Sequence, residues 1–166
     1  ALDRDDVRLM ADRLGVDLLR GRRDWHGIVI AGPYASRHRL APAERLYGER
    51  LVVGSEPAGC IGLYARAGAV VQMAGYNSTF ESLAAGVRPI LVPRRSPRRE
   101  QAIRASRLAS LGLADVVDDE AGADEVTWLL DRRRRIDATD LERAGIRLDG
   151  AARAAEILTA TAGVRV

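Results

Sequence analysis

At 166 residues the chain is long enough to bury one core and too short for two of ordinary size. Its make-up, 47% apolar and 30% charged, is that of a water-exposed folded domain, and no apolar run approaches the ~20 residues of a membrane span. The 26 basic residues are all arginine and stand against 23 acidic ones, a net charge of +3, which with 4% aromatic residues argues against a nucleic-acid surface. Arginine in every basic position points to a GC-rich bacterial coding sequence.

Residues 3–20 carry Val7, Leu9, Met10, Leu14, Leu18 and Leu19 near helical spacing and predict an amphipathic helix. Residues 25–31 (WHGIVIA) predict the first strand, broken by Gly32-Pro33. A helix over 36–47 is interrupted near Pro42, a short second strand follows at 51–53, and 54–57 reads as a loop. Residues 58–67 predict a small helix and 69–73 (AVVQM) a buried strand. Gly75 opens a turn, and Asn77 or Ser78 is placed to cap a helix that reaches about Ala85. Ser78 and Glu81 have capping-box spacing, and Gly86 is the stop. The next strand is fenced by Pro89 and Pro93. A helix over 97–111 ends at Gly112, 114–117 is a fifth strand, and helices over 123–134 and 149–159 close the chain across a polar link.

Alternating strands and helices predict an α/β, Rossmann-like three-layer domain with a mainly parallel sheet. Such domains ordinarily open on a strand, so a leading helix predicts that the chain is part of a longer polypeptide.

The chemistry concentrates between Ala74 and Gln101. A helix start carries about half a positive charge and unpaired N–H groups, which suits a phosphate. Arg98 and Arg99 fall in the first turn of the expected 97–111 helix, where each cation opposes the dipole by ~0.3–1 kcal/mol. An anion bound nearby explains them; a solvated surface is the plainer alternative. Glu81 has its own plain reading, a capping partner for Ser78 worth ~1 kcal/mol. Arg132 to Arg135 end a helix, where cations are favourable, and read as structural, as a solvated face or as weak contact with anionic lipid. Trp25 and His26 read as packing residues, His38 as a surface residue and Cys60 as buried. Tyr76 can stack on a ligand, though a turn tyrosine usually only packs. Two histidines and one cysteine give no metal-ligand spacing, so neither metal nor cofactor is expected.

Gly75-x-x-Ser78-x-x-Glu81, Gly86, Pro89 to Pro93 and Glu100-Gln101, in this order and spacing, resemble the MurG-like glycosyltransferases. GYNSTFE together with PRRSPRREQAIRASRLASLGL is similar to the bacterial predicted glycosyltransferases of that superfamily. The resemblance implies that residues 1–166 form the C-terminal, donor-binding half of a GT-B fold, with the acceptor-binding domain elsewhere, preceding Ala1 or on a partner subunit. It implies a nucleotide-diphosphate sugar donor, UDP-linked, and a cytoplasmic setting with peripheral membrane association through the partner. Glu81 matches the acidic residue that binds the donor ribose. Ser78, with Gly75, Asn77 and Thr79, matches the helix start facing the diphosphate. Glu100 and Gln101 match the polar pair on the sugar hydroxyls. The stretch 53–57, including Val53 and Ser55, falls where the family holds the base; Gly32, Arg94 and Arg98 complete the expected donor site.

No general base is visible, and the resemblance implies one on the other domain. Three positions depart from the pattern: Ala58-Gly59 where the family often has Asp, an extra Arg88 between Gly86 and Pro89, and Arg104 where MurG has Asn. A nucleotide-sugar epimerase of the same fold and a non-catalytic binding module are the competing readings.

Overall fold

The computed structural model describes residues 25–31, 41, 44–55, 60–94, 99–118, 123–132 and 135–162. The helix expected over 3–20 and most of that expected over 36–47 lie outside them. In chain order, strand β1 is Gly27–Ala31, a 3-10 turn covers Gly48–Arg50, and β2 is Leu51–Ser55. Helix α1 is Ile61–Arg66, β3 is Val71–Gln72, α2 is Tyr76–Ala84, and β4 is Ile90–Leu91. Helix α3 is Glu100–Ser110, β5 is Asp115–Val116, α4 is Ala123–Asp131, α5 is Ala138–Arg143 and α6 is Gly150–Ala162.

All strand pairs are parallel, as the alternation of elements predicts. They form two ladders among the described residues, β1–β2 and β3–β4–β5. Apolar patterning marks a segment as a strand and sets its faces, but does not name its neighbour. In the second ladder Val71 pairs with Ile90 and Ile90 with Asp115. The Val92 N–H reaches the Gln72 carbonyl and the Val117 N–H the Leu91 carbonyl, each at 2.9 Å.

This three-stranded ladder has a core on each face. Side chains alternate along a strand, so Leu91 packs with Leu83, Ala105, Leu108 and Leu113, beneath α2 and α3. Ile90 and Val92 turn the other way, to Val117, Val126 and Leu130 of the α4 side. Helices therefore cover both faces, which is what a buried parallel strand requires. Trp25 joins the halves: it packs against the Ile90–Val126 cluster and against Tyr47 and Leu51 beside β2.

Several boundaries differ from expectation. Strand β2 continues through Gly54 and Ser55, read above as loop, because Ser55 is still in register with Ala31. The polar link before the last helix contains α5, whose N-cap Asp137 accepts from the Asp140 N–H while the Asp140 carboxylate accepts from the Asp137 N–H. Cys60 is buried at the N-cap of α1, as expected, and Trp25 packs as expected, but its neighbour His26 is exposed. Arg135 is structural: its guanidinium donates to the Ala65 and Ala67 carbonyls at 3.2 and 3.0 Å, holding the end of α1. Arg132 lies over the Trp128 ring, 3.9 Å from its centroid.

Candidate functional site

The carboxyl end of β3 runs through Met73 and Ala74 directly into α2. The helix starts two to three residues earlier than the sequence implies: its N-cap is Gly75, in extended backbone, and Tyr76, Asn77 and Ser78 form the first turn. The Ser78–Glu81 capping box is consequently not the helix start, and Glu81 sits in the second turn. The first helical bond runs from the Thr79 N–H to the Gly75 carbonyl, 3.1 Å. Gly75 has no side chain to cap the three leading N–H groups, and the first turn holds no acidic residue. Such an end is a site of partial positive charge with donors pointing outward.

Gly75 has φ −63°, open to any residue, so its value is space rather than backbone freedom. A Cβ there would come within 3.1 Å of the Ser78 hydroxyl. The turn keeps its shape from beneath: Gln72, buried in β3, donates to the Ser82 hydroxyl at 2.9 Å and to the Ser78 carbonyl at 3.3 Å. Ser82 in turn donates to the Thr79 carbonyl at 2.7 Å. The first two turns of α2 are thus fastened to β3 by a side-chain network that the apolar run 69–73 concealed.

Helix α3 starts at Glu100 with Arg99 as N-cap, so Arg99 stands at the positive end of the helix, one position before its first turn. Glu100 in the first turn agrees with the dipole. Neighbouring helix residues point about 100° apart, and the Glu100-Gln101 pair divides accordingly. The Gln101 carboxamide oxygen accepts from the Arg94 N–H at 3.1 Å, tying α3 to the segment after β4. That leaves its NH₂ as the group available to a ligand. Glu100 lies on another face, beside an apolar groove of about 540 Å³ floored by Phe80, Ile103 and Leu108 and edged by Arg104 and Arg107.

The expected donor residues therefore distribute as follows. Gly75, Asn77, Ser78, Thr79 and Glu81 come together on α2, with Asn77 exposed, Ser78 and Glu81 half-buried and Thr79 fully buried. The buried Thr79 hydroxyl oxygen has no hydrogen-bond partner. Arg94 and Gln101 meet at the start of α3, while Glu100 faces the groove. Val53 and Ser55 belong to β2, in the other ladder. Gly32 and Arg98 lie outside the described residues. The sequence reading passed over Gln72, and treated Arg104 only as a departure. Its spacing three residues after Gln101 was the signal that it shares the inner side of α3. Among the described residues no three His, Cys, Asp or Glu side chains gather as metal ligands.

Parallel strands with helices on both faces, and a glycine-opened helix at a strand's carboxyl end, define a Rossmann-like α/β fold. Within that class, the chain superposes on MurG of Acinetobacter baumannii with a TM-score of 0.50 and 19% identity over 72% of its length. The chain has a MurG-like fold, and it spans 38% of the MurG chain. No protein-family model matches it, and no curated protein does either.

Proposed function

We propose that this chain is the donor-binding half of a GT-B glycosyltransferase. Its ligand is a nucleotide-diphosphate sugar, UDP-linked, whose hexosyl or N-acetylhexosaminyl group passes to an acceptor held by another domain or subunit. The reading rests above all on the uncapped, acid-free start of α2 at the carboxyl end of β3, and it is supported by the MurG-like fold.

The diphosphate lies against the N–H groups of Tyr76, Asn77 and Ser78, where the helix end stabilises the charge that develops as the sugar–phosphate bond breaks. Glu81, one turn further along, accepts from the ribose hydroxyls. The Gln101 NH₂ donates to a donor oxygen, and Arg94 and Arg98 supply positive charge. The acceptor is deprotonated by a base on the other domain, so the chain alone binds donor without turning it over. No helix among the described residues is long and apolar enough to cross a membrane; in this reading, association with a membrane belongs to the partner.

Calorimetric titration with nucleoside diphosphates and nucleotide-diphosphate sugars tests this reading. Saturable binding that requires the diphosphate is expected; a folded sample that binds none of them refutes it.

A further inference from the structure

Arg104 departs from the MurG pattern and has a specific place in the fold. From the second turn of α3 its guanidinium donates to the Ala74 carbonyl, the last peptide oxygen before the α2 N-cap. It also lies over the Tyr76 ring, 5.4 Å from the centroid. Tyr76 is the first residue of α2, is 65% exposed, and is backed by Phe80 at a ring-centroid distance of 4.8 Å. Three residues before Arg104, Gln101 fixes the Arg94 N–H. One side of α3 thereby grips the chain leaving both β3 and β4.

We propose that Arg104 is a positioning residue of the donor seat, and that the Tyr76 ring it supports is a stacking platform for the base or sugar of the bound nucleotide sugar. This rests on the donor-binding reading above. A planar guanidinium can donate in its own plane to a carbonyl while its face lies on an aromatic ring, a combination an ammonium group cannot reproduce. Arg104 thus sets the orientation of the N–H groups of Tyr76, Asn77 and Ser78 through Ala74, and sets the ring through its face. The exposed side of Tyr76 is left for the ligand, whose flat or apolar surface stacks on it.

The test is titration of the full 166-residue chain and its Arg104→Ala, Arg104→Lys, Tyr76→Ala and Arg104→Ala/Tyr76→Ala variants with UDP and a UDP-sugar, beside hydrogen exchange at Thr79, whose N–H closes the first turn of α2 on the Gly75 carbonyl. Arg104→Ala and Tyr76→Ala are each expected to weaken binding by about tenfold, the scale of one directed interaction. The double variant is expected to lose much less than the product of the two, because both changes remove one assembly. Arg104→Lys is expected not to restore affinity, and amide exchange at Thr79, the first hydrogen-bonded N–H of α2, is expected to quicken in both Arg104 variants.

Full rescue by lysine overturns the proposal, since Arg104 would then act as a point charge on the ligand. Unchanged affinity in Arg104→Ala overturns it as well, as does unchanged exchange. If the parent chain binds no nucleotide, the donor reading falls first; faster exchange would then retain the turn-holding role of Arg104 and remove the platform.

Discussion

At the scale of single residues, Glu81 separates a ligand group from a structural one. With the helix beginning at Tyr76, Glu81 is too far along to satisfy a leading N–H, so the capping explanation for its presence lapses. Glu81→Ala is expected to change stability by less than about 0.5 kcal/mol, as for a helix residue without a structural partner. Uridine-nucleotide affinity should fall by roughly tenfold, the cost of one charge-assisted hydrogen bond. Calorimetry and thermal melting on the same variant read both. Ser82 is the opposite case. Its hydroxyl is fully buried between the Gln72 amide and the Thr79 carbonyl. Ser82→Ala removes the shorter of the two hydrogen bonds of the Gln72 NH₂, together with the bond to the Thr79 carbonyl, and should cost about 1–3 kcal/mol in denaturant unfolding.

At the scale of elements, turns and caps carry the definite expectations. Gly86 ends α2 with φ +73°, and a Cβ there would stand 3.2 Å from the Ile136 carbonyl oxygen. Gly86→Ala therefore combines left-handed strain with a backbone contact that cannot move cheaply, and should destabilise by about 1–3 kcal/mol in urea unfolding. Asp137→Ala removes half of the α5 capping box and should cost about 1 kcal/mol, detectable as a lower Tm.

Among the described residues the order of strands and helices up to α4 was legible because apolar runs, glycine stops and the Pro89–Pro93 fence all agreed. Helix α5 was not, because Asp137 and Asp140 make their box without the Ser/Thr…Glu/Gln signature. Nor was the start of α2 legible: Asn77 and Ser78 look like caps, whereas the structure begins the helix at an uncapped glycine. The division of Glu100 from Gln101 needed three dimensions as well. Adjacent residues look paired along a sequence and point apart on a helix.

At the scale of the whole molecule, the ladder β3–β4–β5 and the helices on its two faces form a platform whose strand ends carry the proposed site. Leu91 is fully buried at its centre, so Leu91→Ala should cost about 2–5 kcal/mol. The chain spans 38% of the MurG chain, and α6 leaves Ile157 and Leu158 exposed at 58% and 68%. The most direct measurement is calorimetric titration of the folded chain with UDP, a UDP-sugar and uridine. The account predicts one-site binding of both diphosphates, weak or no binding of uridine, and about tenfold loss in Glu81→Ala. Equal binding of uridine and UDP, or no binding by a cooperatively folded sample, would contradict it.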